Sequence, residues 1–216
     1  MKKSNLVLIA SGLMLIIFIA AAYFYDSQQT KLKNEQLAQN SSALIQFHSP
    51  KTGNPKAKVT IVEFMDPACE ACRQFHPFVK DLLKKYKNKV KLVIRYAPFH
   101  HGSDVAVKIL EAAKKQGQFW DVLDVMYKSQ SDWANHHNPN PEMIWNYLEY
   151  YKFDVLALKA NMDDAVATKI IGIDLADAKA LGVDKTPTFF VNGKPLTSFS
   201  LEQLETLIRS EIALHY

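Results

Sequence analysis

Two cysteines occur among the 216 residues, Cys69 and Cys72, in the order Cys-Glu-Ala-Cys. That spacing puts both thiols within one turn if the segment is helical. A cysteine at the start of a helix meets unpaired backbone N–H groups and the positive end of the dipole, and both favour its thiolate. Cys69 is therefore expected to be the exposed nucleophile. Cys72, one turn inside, is expected to be buried and protonated, and to resolve a mixed disulfide. The competing reading is half of a zinc site, but such a site needs four ligands and there is no second cysteine pair. No cysteine is left to close a long loop, which excludes a disulfide-stapled mini-domain.

Two further positions bear on the thiols. Glu63 lies six residues before Cys69, in an apolar stretch that runs toward it. A carboxylate beneath the resolving thiol would accept its proton, and burial would raise its pKa to suit that exchange. The alternative is a solvent-facing strand residue. Thr186-Pro187 directly precedes the apolar stretch Thr188–Val191. Proline has no N–H for a ladder and so fits a strand start, or a plain turn.

The elements that must position these residues are set by periodicity. Val59–Met65 and Val90–Tyr96 are β-branched and apolar, and read as buried strands. Between them Phe75, Phe78, Val79, Leu82, Leu83 and Tyr86 recur at helical spacing, with Pro77 expected to kink that helix. The segment Cys69–Lys87 thus supplies the crossover that a parallel strand pair needs. Ser49–Lys56 reads as turn. From Ser103 to Leu181 only helical signals occur, over Ser103–Lys115, Gln118–Ser129, Glu142–Tyr151 and Asp163–Leu181, broken by the turn-rich Ala134–Pro141. Asn192-Gly193 predicts a tight hairpin after Thr188–Val191, and Ser200 with Gln203 a capped final helix. The outcome is an α/β fold: a small mixed sheet covered on both faces, interrupted by a helical block.

Composition agrees with one folded domain. Hydrophobic residues make up 48% and charged residues 22%, which excludes a disordered chain or a multi-span membrane protein. A net charge of +4 is too mild for a nucleic-acid surface. The lysines from Lys80 to Lys91 read as a solvated helix end complementing its dipole. His100-His101 and His136-His137 lack HxxxH or HxH spacing, so no metal is expected there. His76 reads as a helix-surface residue, and Trp120, Trp133 and Trp145 as core.

The N-terminus carries an address. Leu6–Phe24 is an uncharged run of 19 residues preceded by Lys2 and Lys3. As a helix it would be roughly 28 Å long, enough to cross a bilayer core, with the lysines on the cytoplasmic side. Ala20, Ala21 and Ala22 also offer a signal-peptide cleavage site. Either reading exports the rest of the chain. The expected organisation is a signal anchor or signal peptide over 1–25, a polar linker over 26–43, and a single domain over 44–216 with a helical insertion over about 98–181.

The stretch FMDPACEACRQFHPF, followed by VDKTPTFFVNGKPL, and joined by KAKVTIVEF before the thiols and QGQFWDVLDVMY in the insertion, resembles the DsbA-like branch of the thioredoxin superfamily. The resemblance covers about residues 44–214. It implies a thioredoxin fold with an inserted helical domain. It further implies that Cys69 attacks, Cys72 resolves, Glu63 assists proton transfer, Pro187 is cis beside the active disulfide, and Thr186 lies at the substrate-binding peptide. No cofactor is implied beyond the two sulfurs. The expected function is an exported thiol–disulfide oxidoreductase at the outer face of a bacterial cytoplasmic membrane, acting on cysteines of exported proteins and reoxidised by a membrane partner. An isomerase or reductase, or a non-catalytic copper chaperone holding Cu(I) between the thiols, are the alternatives. One departure is the dipeptide Glu-Ala, where strongly oxidising members carry Pro-His. With Glu70 and Asp66 adding negative charge near Cys69, a potential on the order of −180 mV is expected.

Overall fold

The computed structural model describes residues 43–135 and 139–216. The apolar run at Leu6–Phe24 and the pair His136-His137 lie outside them. Among the described residues no helix is long and apolar enough to cross a membrane.

Among the described residues five strands form one sheet in the order β1-β3-β2-β4-β5: β1 is Lys51–Gly53, β2 Val59–Met65, β3 Val90–Tyr96, β4 Thr188–Val191 and β5 Lys194–Pro195. β2 and β3 run parallel, pairing Val59 with Val90 through to Met65 with Tyr96. The other pairs are antiparallel. Helix α1, Glu70–Lys85, is the crossover between β2 and β3 and continues through Pro77. The insertion carries α2 (Ser103–Lys115), α3 (Phe119–Lys128), α4 (Gln130–Trp133), α5 (Met143–Tyr150), α6 (Val155–Ala160) and α7 (Asp164–Ala180). The chain then returns through β4 and β5 to α8, Leu201–His215.

Alternation along the strands sorts the core. Val59, Ile61 and Met65 of β2 join Val90, Leu92, Ile94 and Tyr96 of β3 in one large cluster with α1, α8 and the inserted helices. Val62, Phe64, Val93 and Phe190 face the other way, onto Leu44, Ala178 and Val183. Period-two patterning on a central strand therefore buries both faces. Asn192 and Gly193 both take positive φ, as a two-residue hairpin turn requires. Ser200 caps α8 by accepting from the Gln203 N–H at 3.1 Å.

Three elements differ from the sequence expectation. Lys51–Gly53, read as turn, is an antiparallel edge strand on β3. It is too short to show a period, and Gly53 permits the close approach: a Cβ there would sit 2.9 Å from the Val90 carbonyl oxygen. The short helices α4 and α6 carry fewer than two turns, less than a periodic pattern needs to be visible.

Candidate active site

β2 ends at Met65, and Asp66–Ala68 turn the chain into α1 with Cys69 as its N-cap residue. The cap is made by sulfur: Cys69 Sγ accepts from the Cys72 N–H at 3.4 Å. Cys69 is only 5% exposed and Cys72 is fully buried. The expectation of an exposed nucleophile is corrected here, because the Thr186 carbonyl lies 3.2 Å from Cys69 Sγ and covers it. The thiols are free. Thr186–Pro187 is a cis peptide immediately before β4.

The two thiols are driven apart in acidity. Cys69 is lowered to about 6, chiefly because the Cys72 thiol donates to it, aided by Thr186 and the N–H groups of Cys72 and Ala71, against a burial cost. Cys72 is raised, first by burial, then because its proton is held by Cys69, then by the charge of Glu63. Glu63 is 4% exposed, mid-strand on β2, in register with Ile94 on one side and Phe189 on the other. The solvent-facing alternative for Glu63 is thereby removed. Burial first, and the Cys69 charge second, push its pKa up to about 8.

The loop before Cys69 is pinned from several directions. Asp66 is completely buried and accepts from the Ala68 N–H at 2.8 Å, the Ser103 hydroxyl at 2.5 Å, and the His100 N–H and Nδ1 at 2.9 and 2.7 Å. Its charge is therefore engaged by four donors, and His100 serves this loop. From the insertion, Gln130 donates to the carbonyls of Pro67 and Cys69. Tyr127 is buried beside the site, and burial followed by the charges of Cys72 and Glu63 raises its phenol. His76 binds Asp124 of α3 at 2.6 Å instead of lying free on the helix surface, and burial lowers its pKa against the pull of Asp124. Trp133 and Trp145 are core. Among the described residues no group of three or more His, Cys, Asp or Glu side chains is arranged to hold a metal ion.

Sequence reasoning missed Gln130 and Tyr127. Tyr127 ends the inserted motif QGQFWDVLDVMY, which marked the family without assigning the tyrosine a role.

A mixed sheet with a cysteine pair at the β2–α1 junction and a cis-proline opposite defines the thioredoxin fold. The thioredoxin family profile matches residues 46–210, and the chain belongs to that family. Within it the chain belongs to the DsbA-like branch of oxidoreductases. It is similar to the "Probable disulfide bond formation protein D" of Bacillus anthracis, 28% identical over 98% of this chain and 99% of that protein. It is also similar to the crystal structure of oxidised BdbD from Bacillus subtilis, with a TM-score of 0.65 and 25% identity, covering 77% of this chain and 94% of that one. A third similarity is to the Na(+)/H(+) antiporter NhaA of Herminiimonas arsenicoxydans, 32% identical over 67% of this chain. The chain spans only 22% of that antiporter's length.

Proposed function

We propose that this chain is an exported thiol–disulfide oxidoreductase that transfers its Cys69–Cys72 disulfide to cysteines of exported proteins. The observation supporting this reading is the opposite treatment of two adjacent thiols, Cys69 lowered to about 6 and Cys72 raised, with a buried Glu63 behind them. A substrate thiolate attacks Cys69 Sγ of the oxidised enzyme, and the Cys69–Cys72 bond breaks. Cys72 departs with the electron pair and takes a proton from Glu63, which is neutral at pH 7 because its pKa is about 8. A second substrate thiolate attacks the substrate sulfur of the mixed disulfide. Cys69 departs as a thiolate, held by the Cys72 donors and by the Thr186 side chain. The substrate is oxidised by two electrons and the enzyme is left as a dithiol.

The Thr186 backbone beside the cis-proline is the proposed docking edge for an extended substrate segment. Reoxidation of the dithiol is assigned to a membrane redox partner. Export to the outer face of the cytoplasmic membrane is inferred from the N-terminal run. It is supported by the near full-length likeness to the Bacillus anthracis protein.

The deciding experiment traps intermediates. Cys72→Ser should accumulate mixed disulfides with exported proteins, because the resolving thiol is gone, and Cys69→Ser should not. Equal trapping by the two variants would contradict the assigned order.

A further inference from the structure

Gln130 reaches the Cys69 backbone from the insertion, 61 positions further along the chain. It is 1% exposed. Its side-chain nitrogen lies 2.8 Å from the Pro67 carbonyl oxygen and 3.0 Å from the Cys69 carbonyl oxygen. Both partners are pure acceptors, so the amide nitrogen must face them and both its hydrogens are used. Gln130 Oε1 is then turned away, buried and without a hydrogen-bond partner. A buried amide with one end doubly engaged and the other unpaired is a poor choice for stability alone.

We infer that Gln130 is a positioning residue for the proposed disulfide exchange: through it the helical insertion holds the Cys69 backbone, and so fixes where Cys69 Sγ sits. The inference rests on that reading of the thiols. The Cys69 carbonyl accepts from the Arg73 N–H at 3.1 Å as well as from Gln130, while the Cys69 N–H donates to the Asp66 carbonyl at 3.1 Å. The cap residue is thus held on both sides of its Cα. With the backbone fixed, Sγ accepts from the Cys72 N–H on one side and, as a thiol, donates to the Thr186 carbonyl on the other. Without Gln130, the Pro67 and Cys69 carbonyls lose buried donors and the turn into α1 relaxes. The sulfur then moves off the Cys72 N–H, a donor that stabilises its thiolate. Loops that carry reactive groups work only when a rigid element holds them to within about 0.5 Å.

The test measures the pH midpoint of Cys69 alkylation by iodoacetamide in the reduced, full-length protein, which needs no substrate or redox partner. Gln130→Met keeps the length and removes both donors. Gln130→Glu places oxygen against the two carbonyls. Trp133→Phe is the control: it loses another buried hydrogen bond of α4, from Trp133 Nε1 to the Met126 carbonyl. Wild type should titrate near 6. Gln130→Met should move the midpoint up by about half a unit to one unit, and Gln130→Glu by more, while Trp133→Phe leaves it in place. An unchanged midpoint in either Gln130 variant, or an equal shift in Trp133→Phe, overturns the inference. Should Gln130→Met not fold, Gln130→Glu alone decides. A wild-type midpoint near the ordinary cysteine value would instead sink the proposed function, so the two failures are distinguishable.

Discussion

Two buried carboxylates lie against neighbouring central strands of this protein and are treated in opposite ways. Asp174, on α7, is completely buried and accepts from Arg95 Nε at 3.0 Å, Arg95 Nη2 at 2.8 Å, His48 Nε2 at 2.7 Å and the Tyr96 N–H at 2.7 Å. Glu63, on β2, is buried to nearly the same degree, yet both influences on it, burial and the nearby Cys69 charge, oppose ionisation. The first site is a matched charge that ties α7 to β3. The second is a carboxyl left unmatched where two thiols exchange a proton. Burial alone does not mark a functional carboxylate in this fold; the identity of its partners does.

The largest effect that separates the two sites is the pH dependence carried by Glu63. Its pKa is raised from 4.5 unfolded to about 8 folded, so the folded state binds the extra proton and stability falls as pH rises through that window. At about 1.4 kcal/mol per unit the total is on the order of 5 kcal/mol, about 3 of it already lost at pH 7. Cys69 acts in the opposite sense in the reduced protein. Its pKa falls from 9.0 to about 6, so its contribution is complete above 9 and disappears as pH falls through 6. Reduced wild type should therefore lose stability from pH 4.5 to 6 and change little from 6 to 8. Glu63→Gln should gain stability from 6 to 9. Denaturant titrations of both proteins across pH give a difference curve. A flat difference would mean that Glu63 is ionised in the folded state and that the contrast with Asp174 fails. The same variant should slow release of Cys72 at neutral pH in single-turnover assays.

Asp174 gives the complementary result. Asp174→Ala strips the counter-charge from Arg95 and a hydrogen-bond partner from His48 inside the protein, and losing one member of a buried pair costs about 3–5 kcal/mol. The lower end, about 3 kcal/mol, is expected, because Asp177 still holds Arg95 Nη2 at 2.6 Å. Urea midpoints measure the loss, and the alkylation midpoint of Cys69 should stay near 6. A cost under about 1 kcal/mol would show that the network is not matched as its geometry suggests, and a moved Cys69 midpoint would tie the two sites together.

The difference between these carboxylates also shows how far the sequence could be read. Glu63 was legible because its partners are local: six residues separate it from Cys69, and the strand between Val59 and Met65 leads directly to the thiols. The same locality exposed the crossover helix, the hairpin turn and the cap at Ser200. Asp174 and Arg95 are 79 positions apart, and nothing in the strand around Arg95 says which residue it meets. A signal did exist in α7, where Ala167, Ile170, Ile171, Asp174 and Ala178 form the buried stripe. An acid on an apolar helical face demands a buried partner, although the sequence does not say which. Gln130 carried no such signal, since its function lies in two backbone carbonyls that any sequence would present.

The smallest effect concerns Glu70, and it sharpens what sets the redox poise. The Glu-Ala dipeptide suggests that Glu70 and Asp66 together weaken the Cys69 thiolate. In the folded protein Asp66 is buried under four donors, while Glu70 is exposed at the first position of α1. The thiolate is held chiefly by the Cys72 thiol, the Thr186 side chain and the N–H groups of Cys72 and Ala71. An exposed charge acts on it through water and is screened. Glu70→His should therefore raise the reduction potential by only about 5–20 mV, measured by equilibration with glutathione at two salt concentrations and shrinking at the higher one. A rise of about 60 mV or more, insensitive to salt, would return control of the poise to the dipeptide. A fall would mean that the donors around Cys69 are themselves reorganised by the substitution. Between these outcomes, a small salt-sensitive rise places the poise with the backbone cap and with the buried thiol that donates to Cys69.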